Sequence, residues 1–207
     1  MHNWALIILL LVGISISIVI SMFSPIVGTK SSVKYSAINW LDSPRLIKEF
    51  ELTTLDNTYN NQSMYGHWTI IVFGFIQCAD ICPTSLWQLS LLQQELIKLG
   101  IEQQVKVVFV SVDHERDTIE SINRYVRYFN PAFIGATGKK PHLTAITSSL
   151  GVRFKVLKSS SRYTVAHSLI FSVIGPKGKL IGRFMPGFST TDTANALHKK
   201  MKVSLSK

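Results

Sequence analysis

The chain has two cysteines, four residues apart, in Cys78-Ala79-Asp80-Ile81-Cys82-Pro83. Two cysteines cannot build a disulfide framework, so a single local pair remains. Thiols at i and i+4 share one side of a helix if the segment coils into a first turn. A helix N-terminus lowers a thiol pKa by stabilising the thiolate, which is the form that binds metal. Two thiolates on a loop make a soft site, suited to Cu(I) and open to Zn(II). They also make a dithiol redox pair, although the thioredoxin-type motif is C-x-x-C and this spacing has one residue more. A pair of structural thiols is the third reading, and the polar, loop-like surroundings speak against it.

Two ligands seldom suffice for a metal, and among the six histidines His167 is the best third candidate. It lies in Tyr163-Thr164-Val165-Ala166-His167-Ser168, read as a loop just before an apolar strand at 169–174. In a thioredoxin-like sheet the loop before that strand faces the cysteine corner. An imidazole there completes a site of two sulfurs and one nitrogen. Cu(I) accepts three ligands, and Cu(II) would take a further nitrogen or oxygen. The competing reading is a polar loop histidine. His114 follows a strand at 105–112 and so lies near the same corner. His67 precedes the core strand at its other end, His142 and His198 read as helix and surface residues, and His2 flanks the N-terminal apolar run.

The elements that must position these residues are legible in the hydrophobic pattern. Residues 69–75 form a continuous β-branched and aromatic run, as expected of a strand buried on both faces. A loop at 77–83 leads into a helix, with Pro83 suited to its first turn. Leu86, Leu89, Leu92, Leu96 and Leu99 recur at helical spacing, and Gly100 ends the helix. Residues 105–112 predict a second buried strand, and 119–129 a helix stopped by Asn130-Pro131. A short strand at 133–135 and a helix at 143–150 follow. Strands at 169–174 and 179–184 flank Gly175-Pro176-Lys177-Gly178, a hairpin signal. The last helix covers 190–203, capped by Ser189 or Thr190. Residues 50–53 read as an early strand and 56–61 as a turn. The order β-α-β-α-β-β-α is that of an α/β, thioredoxin-like fold with a mixed central sheet flanked by helices. The cysteines sit at the carboxyl end of its first core strand, the usual functional corner of such sheets.

Residues 4–23 carry no charge, and twenty helical residues span roughly 30 Å of hydrocarbon. A cleaved signal would show a basic start and a small-residue cleavage site, both missing here. The expectation is therefore one N-terminal transmembrane helix in 1–24, a linker in 25–45 and the folded domain in 46–207. Lys30 and Lys34 follow the apolar run and only the terminal amine precedes it, so charge counting alone does not place the domain outside the cytoplasm. The formal net charge of +10 is scattered rather than gathered into a basic reading motif. That argues against nucleic acid and for anionic lipid or an acidic partner.

Four segments resemble the SCO/SenC family of copper-binding assembly factors for cytochrome oxidase. They are residues 72–84 with the C-x-x-x-C-P loop, Ser111-Val112-Asp113-His114-Glu115-Arg116-Asp117-Thr118, residues 129–135, and His167-Ser168 with the hairpin at 175–180. The resemblance runs from about Phe50 to the final helix, and an N-terminal anchor belongs to the same pattern. It implies Cys78, Cys82 and His167 as copper ligands, with Asp113 as a partner-docking or site-tuning group. It also implies delivery of copper to the copper-bearing subunit of cytochrome c oxidase, with another copper chaperone or a thiol reductase as further partner. The domain would then face the periplasm from a bacterial inner membrane, since no Arg-rich presequence precedes the anchor. Three positions depart from the pattern: Ala166 stands where an Asp often precedes the histidine, His114 where Pro is common, and Gly175 where a turn Asp is usual. A membrane-anchored thiol–disulfide oxidoreductase that keeps the oxidase cysteines reduced is the alternative, and it needs only Cys78 and Cys82. A peroxidase of the same fold would need an activating Arg and Thr, and no convincing set is present.

Overall fold

The computed structural model describes residue 4, residues 37–158 and residues 163–205, with the side chains of residues 157–167 and 205 outside that description. Apart from Trp4, the apolar run at 4–23 and the linker up to residue 36 lie outside the described residues. Among the described residues no helix is long and apolar enough to cross a membrane.

A six-stranded mixed sheet organises the chain. Its strands are β1 (Asn39–Arg45), β4 (Trp68–Gly74), β5 (Val105–Ser111), β6 (Ile134–Ala136), β9 (Phe171–Ile174) and β10 (Leu180–Phe184), in the order β1-β10-β9-β4-β5-β6. Strands β4, β5 and β6 run parallel, while β9 pairs antiparallel with β4 and with β10. Two hairpins stand beside it: β2 (Glu51–Thr53) with β3 (Thr58–Asn60), and β7 (Phe154–Lys158) with β8 (Tyr163–His167). The helices are α1 (Ile81–Lys98), α2 (Ile119–Phe129), α3 (Lys140–Ser149) and α4 (Thr190–Leu205).

Alternation along each strand sends successive side chains to opposite faces. Ile70, Val72, Val107 and Phe109 join the core under α1, α2 and α4, with Leu86, Leu89, Ile122, Val126 and Leu197. Ile71, Phe73, Val108 and Val110 join a second core with Leu52, Tyr59, Leu143 and Ile146. Both faces of β4 and β5 are covered, which is why these strands read as unbroken apolar runs. Gly100, at φ +66, follows α1 as expected of a helix stop. Ser189 accepts from Asp192 N–H at 3.3 Å and so caps α4.

Three segments differ from the sequence expectation. Residues 39–45, read as linker, form edge strand β1 against β10. The stretch at 56–61, read as a turn, turns only at 54–57, where Thr54 N–H donates to Asn57 O at 2.8 Å, and then becomes β3. The segment at 163–168, read as a loop, is strand β8 through His167, paired with β7.

Candidate metal-binding corner

Strand register brings three distant segments together at the carboxyl ends of β4 and β5. Gly74 pairs with Ser111, and Val112 N–H continues the ladder by donating to Gly74 O at 2.9 Å. Beyond Gly74 the chain turns through 75–80, with Cys78 N–H donating to Phe75 O at 3.3 Å, and enters α1 at Ile81. Cys78 thus lies in the loop and is half-buried, while Cys82 lies in the first helical turn and is 3 % exposed. The two thiols are hydrogen-bonded to each other.

A glycine closes β4 because the sulfur needs the space. A Cβ at Gly74 would stand 2.9 Å from Cys82 Sγ and 2.6 Å from Phe109 Cε2. Phe109 in turn meets the edge of Tyr125, ring centroids 5.8 Å apart, so the sulfur, the two rings and the glycine pack as one unit.

The expected lowering of thiol pKa does not hold for Cys82. Burial pushes it up, and the hydrogen bond with Cys78 and the charges of Cys78 and Asp117 push the same way. A backbone hydrogen bond with Phe75 is the only opposing influence. Desolvation outweighs the helix N-terminus here, because the thiolate would sit in the core rather than at the surface.

Two acidic side chains brace the corner. Asp117 Oδ2 accepts from Ile76 N–H at 2.9 Å and from Ser111 Oγ–H at 2.6 Å. Burial raises its pKa, against the lowering effect of those two bonds. Asp113 is 1 % exposed and binds Arg116 through Nε at 2.6 Å. Arg116 Nη1 then donates to Gln77 Oε1 at 2.9 Å. Asp113 therefore reaches the cysteine loop through Arg116, while Asp117 holds it directly. Sequence reasoning singled out Asp113 and gave Asp117 no role at the site. It also passed over Tyr125, whose pKa is raised by burial and then by Cys82, Cys78 and Asp117.

The histidines fall into distinct places. In β8, His167 is opposite Phe154 of β7, and Ser168 N–H donates to Arg153 O at 2.9 Å. Phe154 and Val156 pack on the same core as Cys78. The chain then enters β9, whose register sets Ile71 opposite Ser172, so the segment leading into Phe171 arrives at the carboxyl end of β4. The backbone thus brings His167 to the cysteine end of the sheet, and its side chain lies outside the described residues. Among the described residues no three His, Cys, Asp or Glu side chains gather into a metal cage. His114 is half-buried in the loop after β5. His142 Nδ1 accepts from Glu51 N–H at 3.2 Å and ties α3 to β2. His67 stands at the amino end of β4, away from the cysteines.

A mixed sheet with helices on both faces and two thiols where β4 meets α1 defines a thioredoxin-like protein with a dithiol corner. The SCO1/SenC family pattern matches residues 40–202, and the chain belongs to that family. It is 31% identical over 147 residues to the human mitochondrial protein SCO1 homolog. That match covers 70% of this chain and 49% of the human protein, so the chain spans about half the length of that relative. Arabidopsis thaliana ScoI, solved with copper bound, superposes with a TM-score of 0.68 at 28% identity, covering 76% of this chain and 99% of that one. Yeast Sco1, also solved with copper bound, gives a TM-score of 0.69 at 25% identity over 77% of this chain and 90% of that one.

Proposed function

We propose that this chain is a copper carrier for the assembly of cytochrome c oxidase, taking copper as cargo on Cys78, Cys82 and His167. The observation that carries the reading is the hydrogen-bonded thiol pair at the end of β4, in a chain whose relatives have been solved with copper. The donor set suits the cargo, since paired thiolates are soft ligands that favour Cu(I). The unequal burial of the sulfurs suits transfer. Half-buried Cys78 can meet a donor or acceptor protein, while Cys82 is held in place by Phe109 and the Gly74 backbone. Asp117 and the Asp113–Arg116–Gln77 chain fix the loop so that the sulfurs stay together without metal. Uptake displaces the thiol protons, because only the thiolate is a ligand.

The hydrogen-bonded thiols also favour one second reading, a dithiol reductant for the oxidase subunit's copper-ligand cysteines. There Cys78 would attack a partner disulfide and Cys82 would resolve the mixed disulfide. Two electrons and two protons pass to the partner, and a Cys78–Cys82 disulfide is left. The experiment that separates the readings is His167→Ala. The carrier reading expects weakened copper binding and impaired oxidase maturation, with the Cys78–Cys82 couple still able to cycle. Full oxidase assembly under limiting copper would overturn it. In both readings residues 4–23 tether the domain on the periplasmic side of a bacterial inner membrane. A C-terminal reporter active only in the cytoplasm would refute that placement.

A further inference from the structure

A cavity opens beside β7, the strand that pairs with the His167-bearing β8. Between α3 and β7 the structure holds a cavity of about 490 Å³, whose walls include Lys140, Val152, Arg153, Phe154, Lys155 and Val156. That volume falls in the roughly 300–1,000 Å³ range of small-molecule sites. Three of these residues are cations, and no carboxylate lines the cavity among the described residues. Lys140, Arg153 and Lys155 also form no ion pair with a described carboxylate. Three like charges around one cavity repel one another, so an anion there would relieve the repulsion as well as pair with each cation. Val152, Phe154 and Val156 supply an apolar wall beside the charges. A cavity lined by cations and apolar residues alike matches a molecule with both an anionic head and a hydrocarbon part.

We infer that this cavity binds an anionic amphiphile, a phosphate- or carboxylate-headed lipid, with Lys140, Arg153 and Lys155 on the head and Val152, Phe154 and Val156 on the hydrocarbon. The inference stands apart from the copper reading, because it uses none of the metal-site side chains. The site is nonetheless adjacent to that corner through the backbone. Arg153 N–H donates to Ser168 Oγ at 3.2 Å, its carbonyl accepts from Ser168 N–H, and Phe154 is the register partner of His167.

The test is native mass spectrometry of the full chain released from neutral maltoside micelles. Dihexanoylphosphatidylglycerol, dihexanoylphosphatidylcholine or glycerol 3-phosphate is titrated in separate arms. One retained phosphatidylglycerol adduct is expected, with the zwitterionic lipid and the tail-free phosphate each weaker. Replacing Lys140, Arg153 and Lys155 together by Ser should weaken the adduct by about tenfold or more, as expected for three surface cations near an anionic head. Thr144→Trp, at an exposed α3 position lining the cavity, fills the space with the charges intact and should weaken it as well. Equal retention of both lipids overturns the proposal, as does wild-type binding in either variant. If glycerol 3-phosphate binds as tightly as phosphatidylglycerol, the apolar part of the assignment is refuted.

Discussion

Gly74→Ala tests whether the end of β4 sets the position of Cys82. The new methyl would fall 2.6 Å from Phe109 Cε2 and 2.9 Å from Cys82 Sγ, against ordinary contact from 3.4 Å. Neighbours must therefore give by about 0.5–0.8 Å. Phe109 is 1 % exposed and pinned by Tyr125, so its ring has little room. Cys82 sits in the first turn of α1 beside a loop, which is the softer side. Overpacking of this kind costs roughly 1–3 kcal/mol. At about 2 kcal/mol the melting temperature of a chain this size falls by about 4–8 °C. The displaced sulfur should also react faster with a thiol reagent. The assays are thermal unfolding of the reduced full chain and the labelling rate of Cys82 in a Cys78→Ala background. A double-mutant cycle isolates the contact: with Cys82→Ala in place, Gly74→Ala should cost measurably less, because one of the three crowded atoms has gone, leaving only Phe109 Cε2 and Cζ. Unchanged melting and unchanged labelling would refute the argument, and so would strict additivity in the cycle.

Other expectations follow from the same geometry. Asp117→Ala leaves the Ile76 N–H and the Ser111 hydroxyl without their acceptor and should cost about 2–4 kcal/mol in urea unfolding. Asp117→Asn keeps an acceptor oxygen and should cost less, and equal losses in the two variants would count against the hydrogen-bond account. Stability of the reduced protein should fall on the alkaline side. The folded pKa of Cys82 lies above its ordinary value of 9.0, so above that pH the unfolded chain sheds a proton that the folded chain keeps. That gives a loss of up to about 1.4 kcal/mol per pH unit, with Tyr59 and Tyr125 adding to it above their ordinary value of 10.0. Cys82→Ala should remove the part that begins near pH 9, as read from urea midpoints between pH 7.5 and 10.5. Cys78→Ala and Cys82→Ala should each abolish tight Cu(I) binding in a competition titration, and wild-type affinity in either would move the site elsewhere.

The sequence carried the fold where burial is two-sided and failed where elements are short or exposed. Strands β4 and β5 were legible because both their faces are covered, so the apolar pattern is unbroken, and helix α1 because its buried Leu86, Leu89, Leu92 and Leu96 recur at helical spacing. Strand β1 was not, since Asn39-Trp40-Leu41-Asp42-Ser43-Pro44-Arg45 is polar and contains a proline. An edge strand tolerates both, because one side of its backbone needs no partner. Strand β3 has only Tyr59 fully buried among three residues, too short a run for alternation to stand out from Asn57, Asn60 and Asn61 in and around it. The β7 strand does alternate, with Phe154 and Val156 packed on the core and Lys155 exposed between them, and that signal could have found it.

At the site, residue type announced the two thiols, and register with distant segments supplied what type could not. Nothing in the composition around Gly74 says that a sulfur from α1 will rest on it. The contact exists because β4 ends where Cys82 returns over Phe109 of the neighbouring strand. Nor does the spacing of Asp117 from Asp113 say which of them reaches the cysteine loop. The Gly74–Ser111 pairing decides it, by bringing Ser111 and Ile76 N–H within range of one carboxylate oxygen. The same logic explains the reversed pKa expectation. A helix N-terminus can be read from sequence, but the burial that overrides it is a property of the assembled sheet. The corner is thus held from below by strand ends and from the side by the loop after β5. Substitutions in those supports, remote in sequence from the C-x-x-x-C motif, should act on the thiols as directly as changes within it.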